Sequence, residues 1–327
     1  MATQSPTKEE DGYRRINLEF LGKAGGEHFD IFYKTNSFGQ IKYVKFASSD
    51  PRHHEKVQRL LESGEASDEF FIREEDLFKY YQHATETLRN LVTNPKIPIE
   101  KKTRKVYEVS KNIMYEFFEQ SHSTKILTTS DEVVEIMEGC FKEANFGFYG
   151  IAKLTSKDYY TYTHSVNVGL YCMTYGIKIE KPQEECRQLG LGGMLHDVGK
   201  SQISDALINK NGKLTDSEFE EMKKHSPLGE EILKDMKCYS QPVVQMAGQH
   251  HEQWKGGGYP RGLMGEEIAF PARVCKVMDV YDALTTRRSY KKALSPFDAL
   301  TLMKKQMINH FDPVVLDNFI RLMGPEL

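Results

Sequence analysis

The 327-residue chain is most readily bounded by what it lacks. No apolar run reaches the ~18 residues that a membrane-spanning helix needs, so no span is expected. The opening Met1-Ala-Thr-Gln-Ser-Pro-Thr-Lys-Glu-Glu10 is polar and has no apolar core of a secretory leader. There is no excess of basic charge: a net charge of −3 argues against a binder of DNA or RNA polymers, which would show a basic field. A small anionic substrate stays open, because bound metal ions can dominate local charge. There is no Cys-x-x-Cys pair. Cys140, Cys172, Cys186, Cys238 and Cys275 are scattered, which argues against a disulfide framework and a zinc–thiolate site and reads as reduced, mostly buried thiols of a cytoplasmic protein. No receiver-domain or other known sensor pattern precedes residue 150. What is present is an ordinary globular composition, 39% hydrophobic and 28% charged. The length suits about two domains on a prior of ~150 residues each.

Along the chain, residues 1–12 read as a disordered tail. Residues 13–75 form a small α+β module. Phe29, Ile31 and Tyr33 alternate, Asn36-Ser-Phe-Gly39 signals a turn, and Ile41 to Phe46 is a second strand candidate. A short helix is expected over 53–63 and a third strand at Phe70-Phe-Ile72. The pair His53-His54 reads as solvated surface. Residues 76–148 are helical throughout: one helix from Asp76 to Val92, another from Ile99 to about Gln120, and a third starting at Ser130. These helices suit a connector, an outer layer of a bundle or a dimer seam. The fold class is therefore mainly α, with a small α+β module in front.

The chemistry collects in 149–327. An apolar run from Leu189 ends in His196-Asp197-Val-Gly-Lys200. A helix delivering an imidazole and a carboxylate side by side can chelate a metal only if other helices supply more ligands. Thr155 to Tyr175 reads as a helix carrying His164. Thr215-Asp-Ser-Glu218 is a capping box that opens a helix reaching His225. Pro242, placed as a first helical residue, begins a helix that runs to His250-His251. Pro271 to Thr285 carries Asp279. The seven candidate ligands, His164, His196, Asp197, His225, His250, His251 and Asp279, exceed the needs of one ion and suit two, with Asp197 as the bridge. Imidazole with carboxylate favours iron, manganese or zinc over calcium or magnesium. Two such dications would stabilise a phosphoryl oxyanion and make hydroxide available near neutral pH. Phosphodiester hydrolysis needs both.

These motifs resemble the HD-GYP family, bacterial phosphodiesterases of cyclic dinucleotides, chiefly cyclic di-GMP. The resemblance covers about residues 150–325. It runs through His196-Asp197-Val-Gly-Lys200, then His250-His-Glu-Gln-Trp-Lys-Gly-Gly-Gly-Tyr-Pro-Arg-Gly-Leu263, then Asp279-Val-Tyr-Asp-Ala-Leu-Thr-Thr-Arg-Arg288-Ser-Tyr-Lys291, and ends near His310-Phe-Asp-Pro313. It implies an all-helical HD-type bundle holding two divalent ions, iron first, then manganese, then zinc. It also implies a substrate loop with Gly258, Tyr259 and Pro260, and cationic contacts from Arg288 and Lys291. Lys200 is implied as a charge stabiliser or a proton donor to the leaving oxygen, beside the metal-bridging Asp197. The N-terminal module is then regulatory, with a homodimer or a signalling partner docking through it or through the connector helices.

Two departures from the pattern carry expectations. Some members place a glutamate four residues before the first histidine, for a third metal. Tyr160 stands there, and Asp158 is on the wrong face to replace it, so two ions and linear pGpG as product are expected rather than GMP. Lys255 replaces a usual aspartate, with an effect of open sign, and Ser289 replaces a usual proline at mild cost to loop rigidity. The competing readings are a binding protein that keeps the pocket without turnover, and a phosphodiesterase for another cyclic dinucleotide such as cyclic GMP-AMP.

Overall fold

The computed structural model describes residues 12–21, 29–37, 40–48, 53, 57, 59, 70–121, 124–144, 155, 160–210, 212–287 and 292–324. The chain divides into two compact units, 1–98 and 99–327. Residues 1–11 of the tail expected over 1–12, most of the helix expected over 53–63, His54, Asp158, Arg288, Ser289 and Lys291 lie outside the described residues.

The first unit is an antiparallel sheet in the order β1-β4-β2-β3, followed by a helix. Strands β2 (Ile31–Ser37) and β3 (Gln40–Ala47) pair as a hairpin with Ser37 opposite Gln40, which places the connection at the expected turn. Strand β4 (Phe70–Arg73) is the third strand read from sequence. Strand β1 (Tyr13–Ile16) was not foreseen. Its Tyr-Arg-Arg-Ile gives no clean alternation, and it is extended because it pairs with β4, Tyr13 opposite Arg73. Helix α1 (Leu77–Thr93) is tied to the chain after β1 by the Tyr80 hydroxyl, which accepts from the Asn17 N–H at 3.1 Å and donates to the Asn17 carbonyl at 3.0 Å. His53 is exposed, as expected, and its Nδ1 accepts from the Ser48 N–H.

The second unit is helical. Helix α2 (Ile99–Tyr115) passes into a π-helical turn at Glu116–Ser121, and α3 (Thr124–Ala144) follows. Helix α3 begins earlier than the Ser130 expected. Thr124 to Thr129 is poor helix-forming sequence, yet Ile126 and Leu127 are buried, so packing overrides propensity. Helix α4 (Thr161–Lys178) is buried on every face from Thr163 to Gly176 and forms the centre of the unit. It starts later than expected, with Tyr160 as an extended N-cap whose N–H is taken by Thr163 Oγ1 at 3.0 Å. Helices α5 (Gln183–Leu195) and α9 (Phe270–Thr285) pack against it, and α6 (Asp216–Lys223), α7 (His225–Met236) and α8 (Gln241–Gln249) lie between those two in the chain. Helices α10 (Pro296–Gln306) and α11 (Pro313–Leu322) close the unit, each opened by proline in its first turn and capped by Ser295 and Asp312.

One expected helix is two. The Thr215 capping box opens α6 as read, with Thr215 Oγ1 accepting from the Glu218 N–H and the Thr215 N–H donating to the Glu218 carboxylate. The helix ends at Lys223, and His225 starts α7 after one intervening residue, Lys224. Pro227 explains the break: without an N–H and with its ring against the preceding turn, it is tolerated only near a helix start. His225, the first residue of α7, is fully buried.

Candidate metal centre

Five helices bring the seven candidate ligands to one place. His164 lies one turn into α4; His196 and Asp197 follow α5; His225 opens α7; His250 and His251 follow α8; Asp279 is on α9. Their ligating atoms form two groups, Asp197 with His225, His250 and His251, and His164 with His196 and Asp279, each within 4.8 Å. Asp197 stands between them. Its Oδ1 is 3.4 Å from His225 Nε2 and 3.8 Å from His250 Nε2, while its Oδ2 is 3.3 Å from His196 Nε2 and 3.9 Å from His164 Nε2. Each oxygen of one carboxylate faces a different group, which is the disposition a bridging ligand requires.

The outer nitrogens fix the rings. Nδ1 of His196 donates to the Gly193 carbonyl at 2.7 Å, His225 Nδ1 to the Met222 carbonyl at 2.6 Å, and His250 Nδ1 to the Met246 and Ala247 carbonyls at 3.0 Å. His164 Nδ1 donates to Asp282 Oδ2 at 2.7 Å. With Nδ1 held by these outer partners, each Nε2 points inward, toward the cluster.

Do these residues fit a metal ion? Buried polar atoms are almost always hydrogen-bonded, yet His196 Nε2 and Asp197 Oδ1 are buried with no hydrogen-bond partner among the described residues. His225 Nε2 lies 3.3 Å from His250 Nε2 and 3.1 Å from His251 Nε2. His225 and His250 both donate through Nδ1, so their Nε2 lone pairs repel at that spacing unless a cation lies between them, and ligand nitrogens at about 2.0–2.1 Å from one ion would stand roughly 3 Å apart. The donor set fits.

Charge is arranged to the same end. Burial pushes His225 down to about 4, and burial with neighbouring imidazoles holds His250 and His251 well below the ordinary range, so all three are neutral ligands at pH 7. Burial would lower His196 too, but the adjacent Asp197 charge outweighs it and pushes the ring up to about 9. Burial alone would raise both carboxylates. Lys200 and His196 keep Asp197 well below the carboxylate range, and the adjoining His164, His196 and His251 rings do the same for Asp279.

Lys200 is placed three residues after Asp197, and its Nζ stands 2.5 Å from Asp197 Oδ2. Gly199 is what lets this turn approach α7: a Cβ there would collide with the His225 carbonyl and the Gly229 N–H. A cavity of about 970 Å³ opens onto five of the seven candidate ligands, His164, Asp197, His225, His251 and Asp279, and is lined also by Lys200, Lys210, Tyr160, Tyr259 and Arg287. That is the upper end of small-molecule sites, roughly 300–1,000 Å³.

The substrate loop divides. Tyr259 lines the cavity and stacks on the His251 ring, centroids 4.6 Å apart. Gly258 and Pro260 are not among its lining residues. The Cβ that Gly258 lacks would lie 2.5 Å from Glu252 Cα, so this glycine serves a close approach to the protein's own backbone. Lys255 is exposed and also outside the lining; its N–H donates to the Asn309 carbonyl at 3.0 Å.

Sequence reasoning passed over four residues. Glu252 is buried and accepts the N–H groups of Arg261 at 2.7 Å and Leu263 at 3.0 Å, pinning the loop. Asp282 orients His164, and its signal was available as a second carboxylate three residues after Asp279 on one helix face. The buried Lys276 ammonium reaches the His251 carbonyl at 3.4 Å. Arg287, next to the Arg288 singled out from sequence, is a cation on the cavity wall.

A protein-family model described as an HD domain matches residues 151–315, just over half of the chain. The chain is 39% identical over 195 residues to the cyclic di-GMP phosphodiesterase PA4108 of Pseudomonas aeruginosa, covering 60% of this chain and 47% of that protein. It is 33% identical over 158 residues to 3'3'-cGAMP-specific phosphodiesterase 3 of Vibrio cholerae, covering 48% of this chain and 34% of that one. The chain thus spans less than half the length of these curated relatives. Among solved structures, Bd1817, a HDG"Y"P protein from Bdellovibrio bacteriovorus, is similar at a TM-score of 0.66 and 15% identity over 95% of this chain and 100% of that one, a likeness of fold alone. With the helical bundle, the His196-Asp197 pair at its centre and the family match in agreement, the chain belongs to the HD domain family.

Proposed function

We propose that the chain is a metal-dependent phosphodiesterase that opens cyclic di-GMP to linear pGpG. The observation that carries this reading is Asp197, whose two oxygens face two separate ligand groups beneath one cavity. The names of the relatives at 39% and 33% identity, cyclic di-GMP and 3'3'-cGAMP phosphodiesterases, supply the substrate class.

Two divalent ions, when bound, would lower the pKa of water and stabilise charge on the phosphoryl oxygens. His164, His196 and Asp279 would hold one and His225, His250 and His251 the other, with Asp197 shared. Imidazole mixed with carboxylate makes iron the first choice, manganese the second and zinc the third. The remaining roles belong to the chain's own side chains. Lys200, on the cavity wall, carries a proton that can pass to the departing 3′ oxygen as water adds to phosphorus, leaving a 5′ phosphate. Lys210, Arg287 and, from the family pattern, Arg288 and Lys291 offer cations to the other phosphate and the bases. Tyr259, stacked on His251 at the cavity wall, offers its ring or hydroxyl for contact with a nucleotide. Tyr160, exposed at the cavity rim and a poor ligand as a phenol, supports two ions and a reaction that stops at pGpG. The first unit is the regulatory part on this reading, since the ligands and their cavity are contained within 99–327. Free cysteines, four of them buried, suit a cytoplasmic setting.

The test is to purify the protein without oxygen, count its metals, and resolve products from cyclic di-GMP and from cyclic GMP-AMP in parallel. Two metals per chain with pGpG accumulating is the expected result. Turnover of cyclic GMP-AMP alone would move the substrate to the second class of relative. A loaded site inert to both would leave a binding protein.

A further inference from the structure

The metal centre has a support that lies outside the matched HD domain. Tyr107, on α2, is buried, and its hydroxyl donates to Asn167 Oδ1 at 2.6 Å. Asn167, on α4 and fully buried, donates through Nδ2 to Asp282 Oδ1 at 2.9 Å. The other oxygen of Asp282, on α9, takes the Nδ1–H of His164 at 2.7 Å. Tyr107 precedes the family match, which begins at residue 151.

The direction of this chain of hydrogen bonds is fixed by chemistry. A carboxylate only accepts, so Asn167 must turn its amide nitrogen toward Asp282. Its carbonyl oxygen then points the other way and needs a donor, which the phenol of Tyr107 supplies. Asp282, held by Asn167 on one oxygen, accepts from His164 on the other and so leaves His164 Nε2 with its lone pair toward Asp279, 3.2 Å away. Were the amide reversed, its oxygen would face the carboxylate and both would lose a partner in a buried site, which costs about 1–3 kcal/mol for each unpaired group.

We propose that Tyr107 is a positioning residue for the metal centre: through Asn167 and Asp282 it sets the tautomer and ring orientation of His164, making α2 a working part of the site. This rests on His164 being a metal ligand, as in the function proposed above. Outer partners of metal-binding histidines typically change affinity by about 10- to 100-fold when removed. Any displacement of α2 would reach His164 along the same bonds.

The test compares Tyr107→Phe with Ser110→Ala in the full chain. Ser110 is buried on the same helix, and its hydroxyl donates to the Val106 carbonyl of that helix, away from the chain of bonds to His164. Affinity is read by competition with a chelator, and the ligand field by the visible spectrum of the cobalt-loaded protein. Tyr107→Phe should weaken the retention of one of two ions by about 10-fold and shift the cobalt bands. Ser110→Ala should leave both as in the parent. Asn167→Ala, which breaks the chain at its middle with Tyr107 intact, should reproduce the effect and serves as the second variant if Tyr107→Phe does not fold. Unchanged affinity and spectrum in a folded Tyr107→Phe or Asn167→Ala protein would overturn the proposal. If the parent itself takes up no metal, it is the metal-site reading that fails, and the two failures are told apart by the parent alone.

Discussion

At the scale of single residues, the site separates groups ready to bind a cation from one that must first lose a proton. His225, His250 and His251 are already neutral at pH 7. His196, pushed up to about 9 by Asp197, still carries its proton there. A metal ion therefore competes with one proton between pH 7 and 9, and apparent affinity should rise about tenfold per pH unit through that window and flatten above it. Loading at pH 7 should release about one proton per chain, read from the buffer dependence of the calorimetric heat; no release would mean that His196 is not a ligand. Lys200 is the other residue with a sharp expectation. Lys200→Met removes the cation nearest Asp197 without removing a ligand, so metal content should hold while kcat falls about 10²- to 10³-fold, the size of effect seen when a transition-state donor is lost. A parallel loss of metal in that variant would assign Lys200 to holding Asp197 rather than to the reaction.

At the scale of elements, the convergence of several candidate ligands was legible because they sit at helix positions that the sequence marks: His250 and His251 at the end of a helix opened by proline, His196 and Asp197 at the end of an apolar run. The break between α6 and α7 was less legible, since an eight-residue helix and its successor read as one amphipathic pattern until the first is stopped and Pro227 is given a new first turn. The partition of the Gly-Tyr-Pro loop was not legible at all. Whether a glycine faces a ligand or its own backbone depends on how the loop folds back, and here Gly258 meets Glu252 while Tyr259 meets the cavity. Strand β1 was missed for a related reason: pairing with a distant strand, not its own pattern, makes it extended. Gly199 tests the element scale directly. Its turn packs so closely on the start of α7 that Gly199→Ala must push the two apart, a strain of about 1–3 kcal/mol. His225 would move with α7, so the melting temperature should fall and one metal should be lost together. A variant that is destabilised yet binds both ions would show that the turn, and not the helix, gives way.

At the scale of the whole molecule, the boundary of the family match and the boundary of the structural unit differ. The match begins at residue 151, whereas the compact unit begins at residue 99. Helices α2 and α3 fill the difference, and their apolar faces are not spare surface. Val106, Val109, Ile113 and Met114 on α2, and Ile126, Leu127, Val133, Val134, Met137 and Phe141 on α3, are all buried. They reach the rest of the unit at specific points: Tyr239 donates to the Leu127 carbonyl at 2.9 Å, Gln183 to Glu138 at 2.9 Å, and Val134 closes on Gly190 of α5. Each buried aliphatic side chain is worth about 1.5–3 kcal/mol. Removing α2 and α3 uncovers the faces of α4 and α5 against which they pack, and the loss of a few such burials is already comparable with the ~5–15 kcal/mol by which a typical domain is stable. A fragment of residues 99–327 should therefore unfold cooperatively and take up metal, while a fragment of residues 151–327 should lose the cooperative transition and bind a hydrophobic dye. Thermal melting by circular dichroism, with metal counted in parallel, distinguishes them. A cooperative, metal-loaded 151–327 fragment would make α2 and α3 dispensable and return them to the role of connector. Failure of that fragment alone would extend the working unit to include both helices, which is also what the bonds from Tyr107 to His164 require.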